Sequence, residues 1–204
     1  QTLTLTLDNP PLEFWFPYRP RLYILQLKFD HPDSDILRER FGWQQLWCQG
    51  GDFYLNGYKV HLLATSWWPP TQGVTRDFVE SQLRGIKAMN AVAFRTHTQP
   101  WQRIWYEVAD EVGLMMIPEA AIWNDDTVYR VNDPRFWENY AAHLKAMVRN
   151  LFNHPSIVMW SLTNEFYGSR ANDDTPEVEA NLARMGLIVK AEDPMRPITY
   201  ESDG

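Results

Sequence analysis

The sequence has a single cysteine, no excess of positive charge and no long apolar run. Cys48 is its single cysteine, which excludes an internal disulfide and a cysteine metal cluster. The formal net charge of −7 argues against nucleic acid as a partner, because no basic stripe is present to release phosphate counterions. No apolar run approaches the roughly 18 residues that a membrane span requires, so we expect no membrane partner.

Aromatic residues, in contrast, are abundant, with ten Trp, nine Tyr and ten Phe. Most of them are expected in the core. Tryptophans near predicted strand ends also suit a sugar-binding cleft, because flat apolar rings pack against the C–H faces of pyranose rings.

Residues 1–50 have the patterns of β-structure. Gln1–Leu7 alternates Thr and Leu, as a half-solvated strand does, and Arg21–Phe29 alternates less strictly. Ile36–Trp47 has room for one or two more short strands. A complete sandwich has about seven strands, so we expect these residues to form the C-terminal part of a β-sandwich.

From residue 51 the pattern changes to alternating strands and helices. Asn56-Gly57, between Phe53–Leu55 and Lys59–His61, predicts a hairpin turn. Helices are expected from about Thr75, from about Pro100 to Gly113, from Asp133-Pro134 and from Thr175-Pro176. Strands are expected at Val60–Ser66, Ala91–His97, Leu114–Pro118, Ile157–Leu162 and Ile198–Glu201.

Repeated strand–helix units predict parallel strands with right-handed crossovers. Five strands fit either an open doubly wound sheet or the first part of an eightfold barrel. The first strand-to-helix turn lacks Gly-x-Gly-x-x-Gly, and no Gly-Lys-Ser/Thr motif occurs, which disfavours a nucleotide-binding sheet. We therefore predict an α/β fold with strands 1–5 of a (β/α)8 TIM barrel.

The segment Ile157–Glu165 carries the strongest functional signal. Its apolar, partly β-branched residues predict a strand that is buried on both faces. Asn164 and Glu165 close it at the C-terminal end, where barrel strands deliver catalytic groups. A carboxylate is costly to bury without a task or partners, so we predict a functional role for Glu165.

Polar and aromatic residues also follow the other predicted strands, and such strand ends converge on one mouth of a barrel. Arg95 could simply pair with Glu119 at the rim, which is compatible with a role in the site. His97 could instead cap a helix, and Glu119 could orient other groups rather than react. The strand-end candidates are Trp67, Trp68, Arg95, His97, Glu119, Asn164, Glu165, Tyr200 and Glu201.

Glycoside hydrolysis fits this set, since it requires an acid that protonates the leaving oxygen and a second carboxylate across the scissile bond. An acid in a partly apolar pocket suits the proton donor. Asn164 could hydrogen-bond the sugar hydroxyl next to the reacting carbon, and this contact strengthens as positive charge develops there. Trp68 and Trp123 could supply flat faces for the sugar.

Motifs along almost the whole chain closely resemble glycoside hydrolase family 2, the family of β-galactosidases, β-glucuronidases and β-mannosidases. They are Arg40–Trp43 with Phe53–Gly57, Asn90–Thr96, Trp105–Leu114, Asn153–Glu165 and Arg196–Glu201. The first two resemble the family's junction between an immunoglobulin-like sandwich and a barrel. The resemblance implies that residues 1–50 end the immunoglobulin-like β-sandwich domain and that residues 51–204 begin the catalytic (β/α)8 barrel.

By this resemblance Glu165 would be the general acid/base and Asn164 the partner of the sugar 2-hydroxyl. Arg95 and His97 would belong to the active-site rim, and Glu119 matches an acidic residue after the family's third strand. The implied mechanism retains the anomeric configuration through a covalent glycosyl-enzyme. The family's nucleophile is a glutamate after the seventh strand, so we expect it beyond residue 204 and expect this chain to be inactive alone.

β-Galactosidases of the family bind magnesium through a Glu and a His after the third strand, at places that correspond here to Trp123 and Asp125. We therefore expect no metal and no other cofactor. The expected partners are a carbohydrate substrate and the remainder of the protein's own barrel and sandwich domains. Two alternatives stay open: a non-catalytic carbohydrate-binding module that uses Trp67, Trp68 and Trp123, and a purely structural fragment.

Overall fold

The computed structural model describes residues 4, 6, 8, 11–28, 35–70, 73–123, 129–166 and 176–200. The predicted strand Gln1–Leu7 lies largely outside these residues. Asp125, Thr175 and Glu201 lie wholly outside them.

The N-terminal part consists of antiparallel strands. Strands β1 (Tyr23–Lys28) and β2 (Ile36–Phe41) pair with each other, and β3 (Leu46–Gln49), β4 (Asp52–Leu55) and β5 (Tyr58–Val60) form a meander. The expected hairpin at residues 56 and 57 is confirmed, with φ angles of 50° and 91° that suit its two-residue turn. The immunoglobulin-like sandwich and its boundary at residue 50 stay predictions.

Strands and helices alternate through the rest of the described chain. The strands are β6 (Ala64–Trp67), β7 (Ala93–Thr96), β8 (Met115–Pro118), β9 (Trp160–Ser161) and β10 (Ile198–Thr199). The helices are α1 (Arg76–Ala88), α2 (Arg103–Val112), α3 (Pro134–Leu151) and α4 (Pro176–Glu192). None of them combines the length and the apolar character needed to cross a membrane.

The strands lie side by side in chain order and run parallel. β7 pairs with β6 and β8, and β10 pairs with β9. Parallel bridges from Met116 to Ile157 and from Glu119 to Ser161 connect β8 to the β9 segment. This order is that of the first five strands of a barrel, and it confirms the predicted parallel arrangement of the strands.

Two predicted strands have other bounds in the structure. Of Ile157–Leu162 only Trp160–Ser161 forms β9, and Ile157 makes an isolated bridge to Met116. The strand expected at Val60–Ser66 is divided, because Val60 pairs with Phe53 across the hairpin and extends the meander instead. The first barrel strand begins only at Ala64.

Local signals set the helix ends as predicted. The Thr75 side chain accepts a hydrogen bond from the Phe78 N–H at the start of α1, and Asp133 caps α3 ahead of Pro134. Gly113 ends α2 with a φ of 74°, where the Pro17 carbonyl approaches so closely that a Cβ would collide with it.

Two apolar clusters hold these elements together. The larger fills the space between the parallel sheet and the helices. The smaller joins Trp15, Leu46 and Leu55 of the N-terminal part to Ala93 and Met115 of the sheet. The N-terminal part therefore packs against the barrel strands through apolar contacts rather than through a solvated linker.

Candidate active site

The C-terminal ends of neighbouring parallel strands meet at one edge of the sheet. Bridges place Glu119 beside Ser161 and Trp123 beside Asn164. Arg95, at the end of β7, contacts both Glu119 and Asn164. Residues that are far apart in sequence are thus neighbours here, as the strand-end pattern predicted.

Arg95 connects two of these strand ends. Its Nη1 donates to Glu119 Oε2 and, at 2.9 Å, to Asn164 Oδ1. Glu119 is fully buried, so the guanidinium supplies the opposite charge that its carboxylate needs in place of water. The Arg95–Glu119 pair suggested by the sequence is therefore present, and it also fixes the oxygen end of the Asn164 side chain.

The amide nitrogen of Asn164 is left as an available donor. A guanidinium only donates, so its bond assigns the Asn164 oxygen to the Arg95 side. Nδ2 is buried and makes no hydrogen bond by geometry within the described part of the chain, and His97 is the titratable group that interacts with the same side chain. An unsatisfied buried donor costs about 1–3 kcal/mol, so this atom is suited to an acceptor brought by a ligand.

His97 lies beside the same groups, with its Nδ1 3.6 Å from Glu119 Oε1. Burial lowers the pKa of His97, and the positive charge of Arg95 lowers it further. Asn164 and the negative charge of Glu165 act in the opposite direction on this pKa but do not reverse it. His97 is therefore neutral near pH 7, and it lies within the electrostatic reach of Glu165.

Glu165 follows Asn164 in a left-handed turn with a φ of 47°. Residues other than glycine rarely adopt this conformation, because the Cβ crowds the backbone. The residue is partly exposed, whereas Asn164 is buried. The turn thus brings a carboxylate out of the buried strand to the edge of the site.

Two tryptophans form an exposed aromatic corner next to these polar groups. Trp68 packs edge-on against His97, with ring centroids 4.2 Å apart, and against Trp123, with centroids 6.0 Å apart. Trp68 is 56% exposed and Trp123 is 41% exposed. Large indole faces left open to solvent beside Asn164 are what a sugar ring could cover.

Tyr200 is engaged elsewhere. Its hydroxyl donates to the Leu182 carbonyl of α4 at 2.9 Å. Gly186 of the same helix leaves room for this contact, because a Cβ at that position would collide with the hydroxyl. Tyr200 thus anchors the end of β10 to α4, and the substrate contact expected for it stays a prediction.

Two hydroxyl groups that the sequence pattern did not reveal contact Glu119. Ser161 Oγ donates to Glu119 Oε2 at 2.8 Å, and the Glu119 N–H donates to Thr96 Oγ1 at 3.1 Å. One signal was available in the sequence, since Ser161 interrupts the otherwise apolar run Ile157–Leu162. A polar residue inside such a strand requires a buried partner.

The described residues do not fit the magnesium site of the family's β-galactosidases. Trp123 offers an indole, which has no oxygen ligand for a hard cation, and Asp125 lies outside the described residues. Across the described ranges, no group of three or more His, Cys, Asp or Glu side chains could hold a metal ion. That the protein uses no metal stays a prediction.

Comparison with known proteins points to one family. The model described as "Glycosyl hydrolases family 2, TIM barrel domain" matches residues 42–204. Beta-galactosidase 2 of Enterobacter cloacae is 29% identical over all of this chain, and a beta-galactosidase of Oenococcus oeni is 31% identical over 98% of it. The chain spans about a fifth of the length of these curated relatives, 20% and 19%.

Solved structures share the fold. A family 2 beta-galacturonidase from Eisenbergiella tayi, bound to galacturonate, superposes with a TM-score of 0.84 at 24% identity and covers 98% of this chain. A beta-D-glucuronidase from Dictyoglomus thermophilum gives 0.83, also at 24% identity, over 97% of the chain. The chain corresponds to 36% and 35% of these two structures.

Proposed function

The chain belongs to glycoside hydrolase family 2, and from this we propose that it carries the acid/base side of the active site of a glycosidase. Glu165 is the general acid/base, and Asn164 binds the sugar 2-hydroxyl. The names of the relatives differ in the sugar but share the β linkage, so the proposed substrates are terminal β-linked sugars.

The state of the Asn164 side chain carries this proposal. Arg95 donates to the Asn164 side-chain oxygen at 2.9 Å, and the buried Asn164 amide nitrogen makes no hydrogen bond by geometry among the described residues. A sugar hydroxyl oxygen would accept from that nitrogen. The adjacent Glu165 is turned out of the strand at a φ of 47°, and such conformations cluster at active sites.

In the proposed mechanism, the Glu165 carboxylic acid first protonates the glycosidic oxygen as the bond to the sugar breaks. A second carboxylate, about 5 Å away, attacks the anomeric carbon and forms a covalent glycosyl-enzyme. Glu165 then acts as a base and takes a proton from the water that hydrolyses this intermediate, so the anomeric configuration is retained. Asn164 strengthens its bond to the 2-hydroxyl as positive charge develops on the ring.

The second carboxylate is proposed to lie outside residues 1–204. Glu119 is a poor candidate, because Arg95 and Ser161 hold its carboxylate and it is fully buried. A polypeptide restricted to these residues is then expected to be inactive. Steady turnover of aryl β-glycosides by residues 1–204 alone would contradict this part of the proposal.

The acid/base role is tested by Glu165→Gln in the whole polypeptide that carries these residues. Alkyl β-glycosides, whose leaving groups need a proton, are expected to lose on the order of 10²–10⁴-fold in kcat/KM. Activated aryl glycosides need little protonation and should lose much less at the first step. Glu80→Gln, on the exposed face of α1, is the matched control and should leave both rates unchanged.

Equal losses on both substrate classes would contradict the acid/base assignment. Saccharide binding that survives Glu165→Gln, with no covalent intermediate trapped in the unsubstituted protein, would instead favour a non-catalytic carbohydrate-binding module.

A further inference from the structure

We propose that Ser161 is a positioning residue of this site, which acts through Glu119 and Arg95 to orient the Asn164 side chain for the sugar 2-hydroxyl. The inference rests on the proposed function and extends it to a residue in the strand interior. It follows from a continuous set of hydrogen bonds that begins at the Ser161 hydroxyl and ends at the Asn164 amide.

The first contact joins Ser161 to Glu119. Both residues are fully buried, and a parallel bridge holds their backbones side by side. Ser161 Oγ donates to Glu119 Oε2 at 2.8 Å. The terminal torsion of a glutamate is soft, so the donors around the carboxylate set its orientation. Ser161 therefore helps to fix the direction of the Oε2 atom.

The second contact transmits this orientation to Arg95. The same Oε2 atom accepts from Arg95 Nη1, and that nitrogen also donates to Asn164 Oδ1 at 2.9 Å. One guanidinium nitrogen thus connects the carboxylate to the carboxamide. If the Glu119 carboxylate rotates, Arg95 Nη1 either moves with it or loses this hydrogen bond. Either change alters the hydrogen bond from Arg95 Nη1 to Asn164 Oδ1.

The third step concerns the other end of the Asn164 side chain. Its Oδ1 and Nδ2 belong to one planar group, so a donor that fixes the oxygen also fixes the direction of the nitrogen. Nδ2 is the buried atom that makes no hydrogen bond by geometry in the described part of the chain. Ser161 therefore influences the donor that is proposed to bind the 2-hydroxyl, without touching the substrate itself.

Ser156 supplies a matched control in the segment that precedes the same strand. It is also fully buried, but its hydroxyl makes no hydrogen bond within the described residues. Replacement of either serine by alanine removes one buried oxygen. Only Ser161→Ala removes a donor from the Glu119 carboxylate.

The test measures kcat/KM of the whole active polypeptide on an aryl β-glycoside and on its 2-deoxy analogue, which has no hydroxyl for Asn164 to bind. Ser161→Ala is expected to lose about tenfold on the parent glycoside, the scale of a lost hydrogen bond to a charged group, and less than about twofold on the 2-deoxy glycoside. Ser156→Ala should change neither rate. Ser161→Thr, which keeps the hydroxyl, should retain more activity than Ser161→Cys, which replaces it with a weak donor.

Asn164→Ala separates this inference from the proposed function. It should show the same contrast between the two substrates, and Ser161→Ala should cause no further loss when Asn164 is already alanine. If Asn164→Ala affects both substrates equally, the proposed 2-hydroxyl contact is wrong. If Asn164→Ala shows the contrast and Ser161→Ala does not, only the positioning role of Ser161 is wrong.

A thermal melt of each variant checks that it is folded. Ser161→Cys keeps the shape of the side chain with a somewhat larger atom in place of the oxygen, and it carries the test if Ser161→Ala unfolds. Equal losses on the two substrates for a folded Ser161 variant would mean a purely structural serine and would overturn the inference.

Discussion

The Arg95–Glu119 pair makes a strong prediction about stability. Glu119 has no exposed side-chain surface, and the Arg95 side chain is only 18% exposed. In Arg95→Met the apolar stem is kept and the guanidinium is removed. The Glu119 carboxylate then stays buried and loses the guanidinium that faces it, while Ser161 remains only a neutral donor to its Oε2.

The expected cost follows from the loss of that guanidinium. Breaking a buried ion pair by removing one partner typically costs about 3–5 kcal/mol. This is a large part of the free energy of unfolding of a domain, which is about 5–15 kcal/mol. Removing both charges is far less costly. In Arg95→Met with Glu119→Gln, a neutral amide can still accept from Ser161, so about half or more of the lost stability should return.

Urea unfolding at pH 7 measures both variants against the unsubstituted protein. Arg84→Met is the control, because Arg84 forms an exposed i,i+4 pair with Glu80 on α1 and should cost only about 0.3–0.5 kcal/mol. A loss below about 1 kcal/mol in Arg95→Met would mean that water or another cation already compensates Glu119. A double variant no more stable than Arg95→Met would refute the account based on the lost ion pair.

Two further predictions concern α4 and the turn that follows it. Gly186→Ala should destabilise the protein by about 1–3 kcal/mol in a urea titration, because its Cβ would collide with the Tyr200 hydroxyl. Gly85→Ala in α1, with open space around it, should instead stabilise the protein by about 0.5–1 kcal/mol. Equal effects of the two substitutions would contradict the close packing of α4 on β10. Burial raises the pKa of Asp193, but the charge and hydrogen bond of Arg196, together with hydrogen bonds from Trp160 and the Met195 N–H, outweigh it, so the net pKa lies below its usual value. A carboxyl group with a lowered pKa in the folded protein stabilises the fold at pH values above its pKa in the unfolded chain, about 3.9. The loss of unfolding free energy caused by Asp193→Asn should therefore be complete at pH 7 and should shrink as the pH falls below about 4. A deficit that is the same at pH 7 and pH 3 would assign it to packing instead.

The parts of the fold that depend on neighbours in sequence could be predicted. Thr75 and Gly113 mark helix ends through hydrogen bonds and backbone angles that lie within one turn of the chain. The division of Val60–Ser66 could not be read in this way, because Val60 continues the meander by pairing with Phe53. An apolar run gives the same pattern whichever sheet it joins.

The candidate site could also be predicted only in part. The pattern of strand ends predicted that Arg95, Glu119 and Asn164 would meet, because parallel strands bring their C-terminal ends together. It could not predict that one nitrogen of Arg95 contacts both partners, or that Ser161 supports Glu119 from inside the strand. Those contacts depend on side-chain directions across three strands, which spacing along the chain does not contain.

The choice of a buried ion pair at this position is itself informative. A well-packed apolar pair in place of Arg95 and Glu119 would often be as stable or more stable, since burying two charges costs several kcal/mol per ion before they attract each other. Stability therefore does not explain the pair. An apolar pair could not hold the Asn164 oxygen, and that carboxamide would be free to turn its nitrogen away from the proposed sugar position. The cost of burying Glu119 is understandable if the pair is retained to orient Asn164 beside Glu165, with Ser161 supporting the carboxylate from within the strand.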